Sequence, residues 1–202
     1  MLENYLNGFL SYFVIVDPVG VALIFGSMTA GRSGVWRTRM AWRSVVISIG
    51  LVLFFGFFGA SLLQKLGIAI ESFRIAGGLL LFYTSFKMVT QPEQNEIAND
   101  KPIEEDISVF PLSIPLLSGP GCLTLTILLF ADAHQDAALL PPLLLAVGSV
   151  YILTLICLLA SANVTKVVGK TGNAILKRLL GVLLASLSIQ FIVDGIRGFL
   201  SG

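Results

Sequence analysis

Long apolar runs separated by short polar stretches fill the whole chain. The first run extends from about Asn4 to Met28 and carries one charge, Asp17, which Pro18 follows. The second, Val45 to Leu63, has no charge. The third, about Gly67 to Val89, has Glu71 and Arg74 near one end and Lys87 near the other. Long side chains at such ends reach the headgroup region. A polar, acidic stretch over 90–106 follows, with Glu93, Glu96, Asp100, Glu104, Glu105 and Asp106. The fourth run, Ile107 to Ala131, contains Pro111, Pro115 and Pro120. The fifth is about Leu139 to Ala162 and the sixth about Ala174 to Phe199. A membrane-crossing helix needs roughly 20 mostly apolar residues. The pattern therefore predicts an all-α polytopic membrane protein with six transmembrane helices and no soluble domain. Runs this long and continuous exclude a transmembrane β-barrel, whose strands alternate over about ten residues.

Composition agrees with lipid as the solvent. The chain has 202 residues, of which 12% are charged, and a mean hydropathy of +0.89. A soluble domain carries about 25% charged residues. The net charge of +1 and the lack of a basic, aromatic cluster argue against nucleic acid as a partner. Cys122 and Cys157 lie inside apolar runs with no CxxC spacing, so they are expected to be small packing residues. Nothing points to a metal or an organic cofactor. The opening Met1-Leu2-Glu3-Asn4 lacks the positive region of a secretory leader.

Basic residues set the expected orientation. With six crossings, Arg32, Arg37, Arg39, Arg43, Lys87, Lys101, Lys166, Lys170, Lys177 and Arg178 share one side. Lys65, Arg74 and Arg197 are on the other. The first side is then cytoplasmic, and both termini lie outside.

The two halves are alike. Arg74, Gly77, Leu79 and Leu80 align with Arg178, Gly181, Leu183 and Leu184. Asp17-Pro18 aligns with Gly119-Pro120. Three crossings per half gives the halves opposite orientations, the inverted repeat of many secondary transporters. Repeat one is about 1–90, the acidic cytoplasmic loop about 91–106, and repeat two about 107–202, all within a single transmembrane domain.

Proline cannot donate to the i−4 carbonyl but suits the first position of a helix. Pro18 and Pro120 are therefore expected to start second half-helices, so that helices one and four are broken. Asp17 would cap one, and Ser118 or Gly119 the other. At 1.5 Å per residue, both breaks fall near the bilayer midplane. Each half-helix start offers N–H groups and the positive end of a dipole. Two such ends facing each other make a cradle for a carboxylate. The charge of Asp17 beside them suits an ammonium, a proton or a cation. Together these outline an amino acid.

Plainer roles exist for the same residues. Asp17 can serve only as a cap, and Thr124 and Thr126 can bond back to their own helix. Gly77, Gly78 and Gly181 are expected to allow close helix packing. Gln190 and Asp194 share a helix face, with Asp194 at the outer interface. His134, in a short outer loop beside Asp132 and Asp136, is expected to be solvated.

Asp17-Pro18-Val19-Gly20 with Ile24-Phe25, and Ile114-Pro115-Leu116 with Gly119-Pro120, resemble the first- and fourth-helix signatures of the MarC family of inner-membrane proteins. Gly77-Gly78 with Lys87-Met88, and Gln190 with Asp194-Gly195, match as well. The family includes the SnatA-type neutral amino acid transporters, and the resemblance covers essentially the whole chain. It implies six helices in a prokaryotic cytoplasmic membrane. The first motif departs from the family pattern of Asn, any residue, Pro, because this chain has Val21-Ala22-Leu23. An amide and a second helix breaker are thereby missing.

The combined reading is a secondary transporter of a small solute, a neutral amino acid foremost, coupled to protons or sodium. The expected substrate site comprises Asp17, Pro18, Gly20, Ser118, Gly119, Pro120, Gly121 and Thr124, with Asp17 also carrying the coupling ion. Lipid, the solute and the coupling ion are the expected partners, and self-association is open. A channel or efflux protein is the alternative. An intramembrane enzyme is disfavoured, since no His or Lys lies deep in an apolar run near Ser118. A non-transporting assembly subunit would have continuous helices.

Overall fold

The computed structural model describes residues 1–90 and 106–201, apart from the side chains of 164–171, 173, 176, 177 and 201. The acidic stretch 91–105, with Lys101, lies outside the described residues. The described chain is all-helical, with no strand. Seven α-helices follow in order: α1 Leu2–Val16, α2 Pro18–Met28, α3 Gly34–Lys65, α4 Ile70–Thr90, α5 Pro120–Gln135, α6 Leu140–Leu159 and α7 Ser161–Ser201.

 An irregular segment, Ser108–Leu117, precedes α5.

Among the described residues four helical stretches are long and apolar enough to cross a bilayer: Leu2–Met28, Gly34–Lys65, Ala137–Leu159 and Arg178–Leu200. The pair Ser108–Leu117 and Pro120–Gln135, bent by 58°, makes a fifth. Helix α4 carries Glu71, Arg74 and Lys87 within its 21 residues, and its apolar content falls short of the other spans.

Two helices begin earlier than their apolar runs. Ser33 caps α3 by accepting the Trp36 N–H, so Arg37, Arg39 and Arg43 are on the helix rather than in a loop. Helix α7 starts at Ser161 and runs for 41 residues, well beyond its apolar part. Polar sequence bounds the part of a helix that lipid can cover, but it does not end the helix.

The fourth run departs furthest from a simple broken helix. Phe110 (φ −123°, ψ 127°) and Ile114 (φ −122°, ψ 121°) are extended because each precedes a proline, whose Cδ disfavours the helical region there. Both peptide bonds, Phe110–Pro111 and Ile114–Pro115, are cis. The backbone between them closes wide loops instead, with Leu112 N–H donating to Ile107 O (3.3 Å) and Ser118 N–H to Ser113 O (2.8 Å). The first half of this run is therefore irregular, and only the second half is an α-helix.

Helix α4 packs along α7, α1 against α6, and α3 against both α5 and the irregular segment. The α4–α7 pair is close because glycines face backbone. A Cβ on Gly78 would lie 2.8 Å from Ser188 O, and one on Gly195 2.8 Å from Glu71 O. This is the packing role expected of Gly78, and Gly181 likewise abuts Ser85 O at 3.2 Å. Polar and apolar positions are distributed as lipid requires. Phe54, Phe58, Leu80, Tyr83 and Ile152 are exposed, whereas Ser44, Ser113, Thr126 and Thr154 are buried. Most buried hydroxyls donate to a carbonyl of their own helix or segment, as Thr154 does to Val150 O at 2.7 Å.

Candidate functional site

Asp17 is where α1 ends and α2 begins. Its N–H donates to Phe13 O and its carbonyl accepts from Val21 N–H, both at 3.0 Å, so it closes one helix and opens the next. Its backbone is left-handed (φ 47°, ψ 66°), the only non-glycine residue with positive φ among those described. That conformation costs about 1–3 kcal/mol for a residue with a Cβ. The side chain recovers part of this by accepting the Gly20 N–H at 3.0 Å as the cap of α2. Pro18 is the first residue of α2, where its missing N–H has no consequence. A Cβ on Gly20 would overlap Asp17 Oδ2, so the glycine makes room for the carboxylate.

The second break is built differently. Gly119 is the cap residue of α5 and Pro120 its first position, with no side chain capping the helix. Ser118 does not cap. It is 1% exposed and its hydroxyl donates to Ser113 O at 2.8 Å. Gly119 is glycine because the Pro115 carbonyl occupies the place of a Cβ.

The start of α5 approaches α4 and the last turn of α1. A Cβ on Gly121 would sit 3.2 Å from Ile15 Cδ1 and 3.0 Å from Leu81 Cδ2. The second residue of α5 thus meets the residue two positions before Asp17. Thr124, one turn on, is 5% exposed, and its methyl fills the notch left by Gly77 on α4. Val21 is 4% exposed and belongs to the hydrophobic core.

Hydroxyls tie this region into one network that the sequence did not single out. Tyr12 on α1 donates to Thr126 Oγ1 on α5 at 2.9 Å, and Thr126 in turn donates to Cys122 O at 2.7 Å. Tyr151 on α6 donates to Leu117 O at 2.8 Å, holding the end of the irregular segment, and lies 3.8 Å from Cys122 Sγ. Both tyrosines are fully buried. The legible signal was a tyrosine inside an apolar run, since a buried phenol needs a partner.

Two ion pairs bracket the fourth run. Arg43 on α3 meets Asp106 at 2.6 Å just before it, and Arg74 on α4 meets Asp132 near its end. Asp106 also accepts from the Ser108 N–H (3.0 Å) and hydroxyl (2.5 Å). The Ser108 hydrogen bonds, and then Arg43, hold its carboxyl below the usual range. Gln190 donates to Asp194 at 2.9 Å along one face of α7. His134 is exposed in the last turn of α5, with Nδ1 2.7 Å from Phe130 O. Among the described residues no group of His, Cys, Asp and Glu could hold a metal ion. Two cavities lie away from the breaks. One of about 220 Å³ runs along α3 beside Phe54, Phe58 and Lys65, and one of about 120 Å³ lies beside Arg37.

A sequence profile described as "MarC family integral membrane protein" matches residues 2–200. A "UPF0056 membrane protein" of Methanocaldococcus jannaschii is 32% identical, covering 98% of both chains. Another, of Buchnera aphidicola from Acyrthosiphon pisum, is 34% identical over 100% of this chain and 95% of its own. One from Escherichia coli (strain K12) is 30% identical, over 98% of this chain and 94% of its own. No solved structure matches the chain.

Proposed function

Because the chain belongs to the MarC family of integral membrane proteins, we propose that it is a secondary transporter of a small solute, a neutral amino acid foremost, coupled to a proton or sodium gradient. The single observation that carries this reading is the approach of Gly121, in the first turn of α5, to Ile15, two residues before the left-handed backbone of Asp17 at which α2 starts. Non-helical backbone within a span is tolerated where it is buried in protein or lines a wet cavity. A charged side chain there is costly and is retained for a function. The Asp17 carboxylate accepts the Gly20 N–H. In this proposal the carboxylate meets the ammonium of the solute or the coupling cation. The first-turn N–H groups of α5, which no side chain caps, meet the solute carboxylate. Pro18, Gly20, Ser118, Gly119, Pro120, Gly121 and Thr124 shape the two helix starts.

The reading takes α4 as the sixth crossing, with Glu71 and Lys87 near its two ends. The chain then consists of two inverted three-helix repeats, with both termini outside a prokaryotic cytoplasmic membrane. Support comes from the offset match of the two breaks and from the bias of basic residues.

Proteoliposomes test the proposal directly. Labelled alanine, glycine or serine is offered under an imposed proton or sodium gradient, with wild type compared with Asp17→Asn. Gradient-driven uptake that the substitution abolishes is the expected result. Folded protein that moves none of the three would detach the chain from amino acid transport.

A further inference from the structure

The 120 Å³ cavity at the arginine-rich end of the molecule is unrelated to the two breaks. Its walls are Phe25 of α2, Gly34, Arg37 and Thr38 of α3, and Leu158 and Leu159 of α6. One side is therefore cationic and hydroxylic, and the other is apolar. Among the described residues no carboxylate lines it. Arg37 is half-buried and aimed by a 2.7 Å hydrogen bond from Nη2 to Ser161 Oγ at the start of α7. That contact uses one of its five N–H donors. The first turn of α3 adds the positive end of a helix dipole on the same wall. Arg32, Arg39 and Arg43 are near Arg37 in the sequence, and Arg43 pairs with Asp106.

We propose that this cavity seats the phosphate of an anionic phospholipid headgroup, with Arg37 as its principal ligand. The volume suits a phosphate group and falls well below the roughly 300 Å³ at which pockets for larger organic ligands begin. Two features favour a lipid over a free anion. Trp36 and Trp42 flank Arg37 on α3, and tryptophans mark the membrane–water interface. An apolar track also leads away from the cavity along α6. Leu159, Ile156 and Ile152 are 47%, 56% and 62% exposed, and their spacing puts them on one helix face. An acyl chain lying on that track would carry its phosphate to Arg37. Basic pockets between membrane helices bind anionic headgroups for the same reason.

The test uses the purified full chain in detergent, titrated with phosphatidylglycerol or phosphatidylcholine and read by native mass spectrometry. Phosphatidylglycerol is expected to be retained in preference to phosphatidylcholine. Arg37→Gln should weaken that retention by about tenfold or more, since charge-assisted contacts to phosphate are lost. Arg39→Gln, outside the cavity, should stay within about twofold by the same arithmetic. Leu159→Trp should also reduce retention, because it fills the cavity and leaves Arg37 in place. Each variant is checked for an unchanged melting profile, and Leu159→Trp decides the matter if Arg37→Gln fails to fold. Equal retention of the two lipids, or unaltered retention in both cavity variants, would overturn the proposal. Displacement of the lipid by inorganic phosphate at equal concentration would also overturn it, in favour of a site for a soluble anion.

Discussion

The carboxylate of Asp17 accepts the N–H of Gly20 at 3.0 Å and occupies the space where a Cβ of residue 20 would be. Cap and glycine thus form one device. Gly20→Ala is expected to push the carboxylate off its donor and lower stability by about 1 kcal/mol or more, the usual cost of losing a cap. Thermal unfolding in detergent measures this. Asp17→Asn should leave the cap nearly intact, since Asn caps as well as Asp. Loss of flux in Asp17→Asn at unchanged melting temperature would then report the charge alone.

Tyr151 holds the carbonyl of Leu117, the last residue before the second break. Tyr151→Phe removes the donor and leaves a buried carbonyl unsatisfied, at an expected cost of about 1–3 kcal/mol. Tyr12→Phe frees Thr126 Oγ1 of one donor but leaves its own bond to Cys122 O, so the smaller loss is expected. Equal melting temperatures for the two variants would contradict this ordering.

The hydrogen bonds from Ser108 to Asp106, with Arg43 beside them, give a pH dependence of known sign. The folded carboxyl of Asp106 titrates below its unfolded value, about 3.9 for Asp. Its contribution to stability is therefore complete above that value and is lost as pH falls through the lower, folded one. Asp106 is 39% exposed, so the contribution is small. Asp106→Asn should flatten the acid limb of a melting-temperature profile and shift the neutral plateau only slightly.

Glycines divide by what faces them. Gly78→Ala and Gly195→Ala would each place a Cβ 2.8 Å from a backbone oxygen of the partner helix. Both are expected to separate α4 from α7 and lower the melting temperature. Nothing lies within 4 Å of a Cβ at Gly50 or Gly148, where alanine should be neutral or stabilising by up to about 1 kcal/mol. A thermal-shift series over the four positions distinguishes the two groups.

Much of the architecture was legible because lipid makes strong demands on sequence. A helix in lipid must bury its backbone polarity and show apolar side chains, so runs such as Val45–Leu63 mark helices without reference to neighbours. Proline acts on its own backbone, so Pro18 and Pro120 marked the two helix starts. The cap at Asp17 was legible for the same local reason. The true start of α3 at Gly34 was less so, because a helix continues past the membrane edge wherever a cap such as Ser33 permits. The irregular path of Ser108–Leu117 depends on two prolines acting together with the wide loops that close around Ser113.

The sequence by itself determined what solvent this protein occupies, which family it resembles, and where two of its helices start anew. Those properties follow from local steric rules and from the transfer of side chains into lipid. Only the tertiary structure decided that Gly121 meets Ile15, that Tyr12 reaches Thr126, and that the Ser118 hydroxyl turns back to Ser113. These contacts join residues far apart in the chain, or depend on a backbone path that several prolines fix jointly. No periodicity encodes them, because each is set by how closely two particular helix faces can pack.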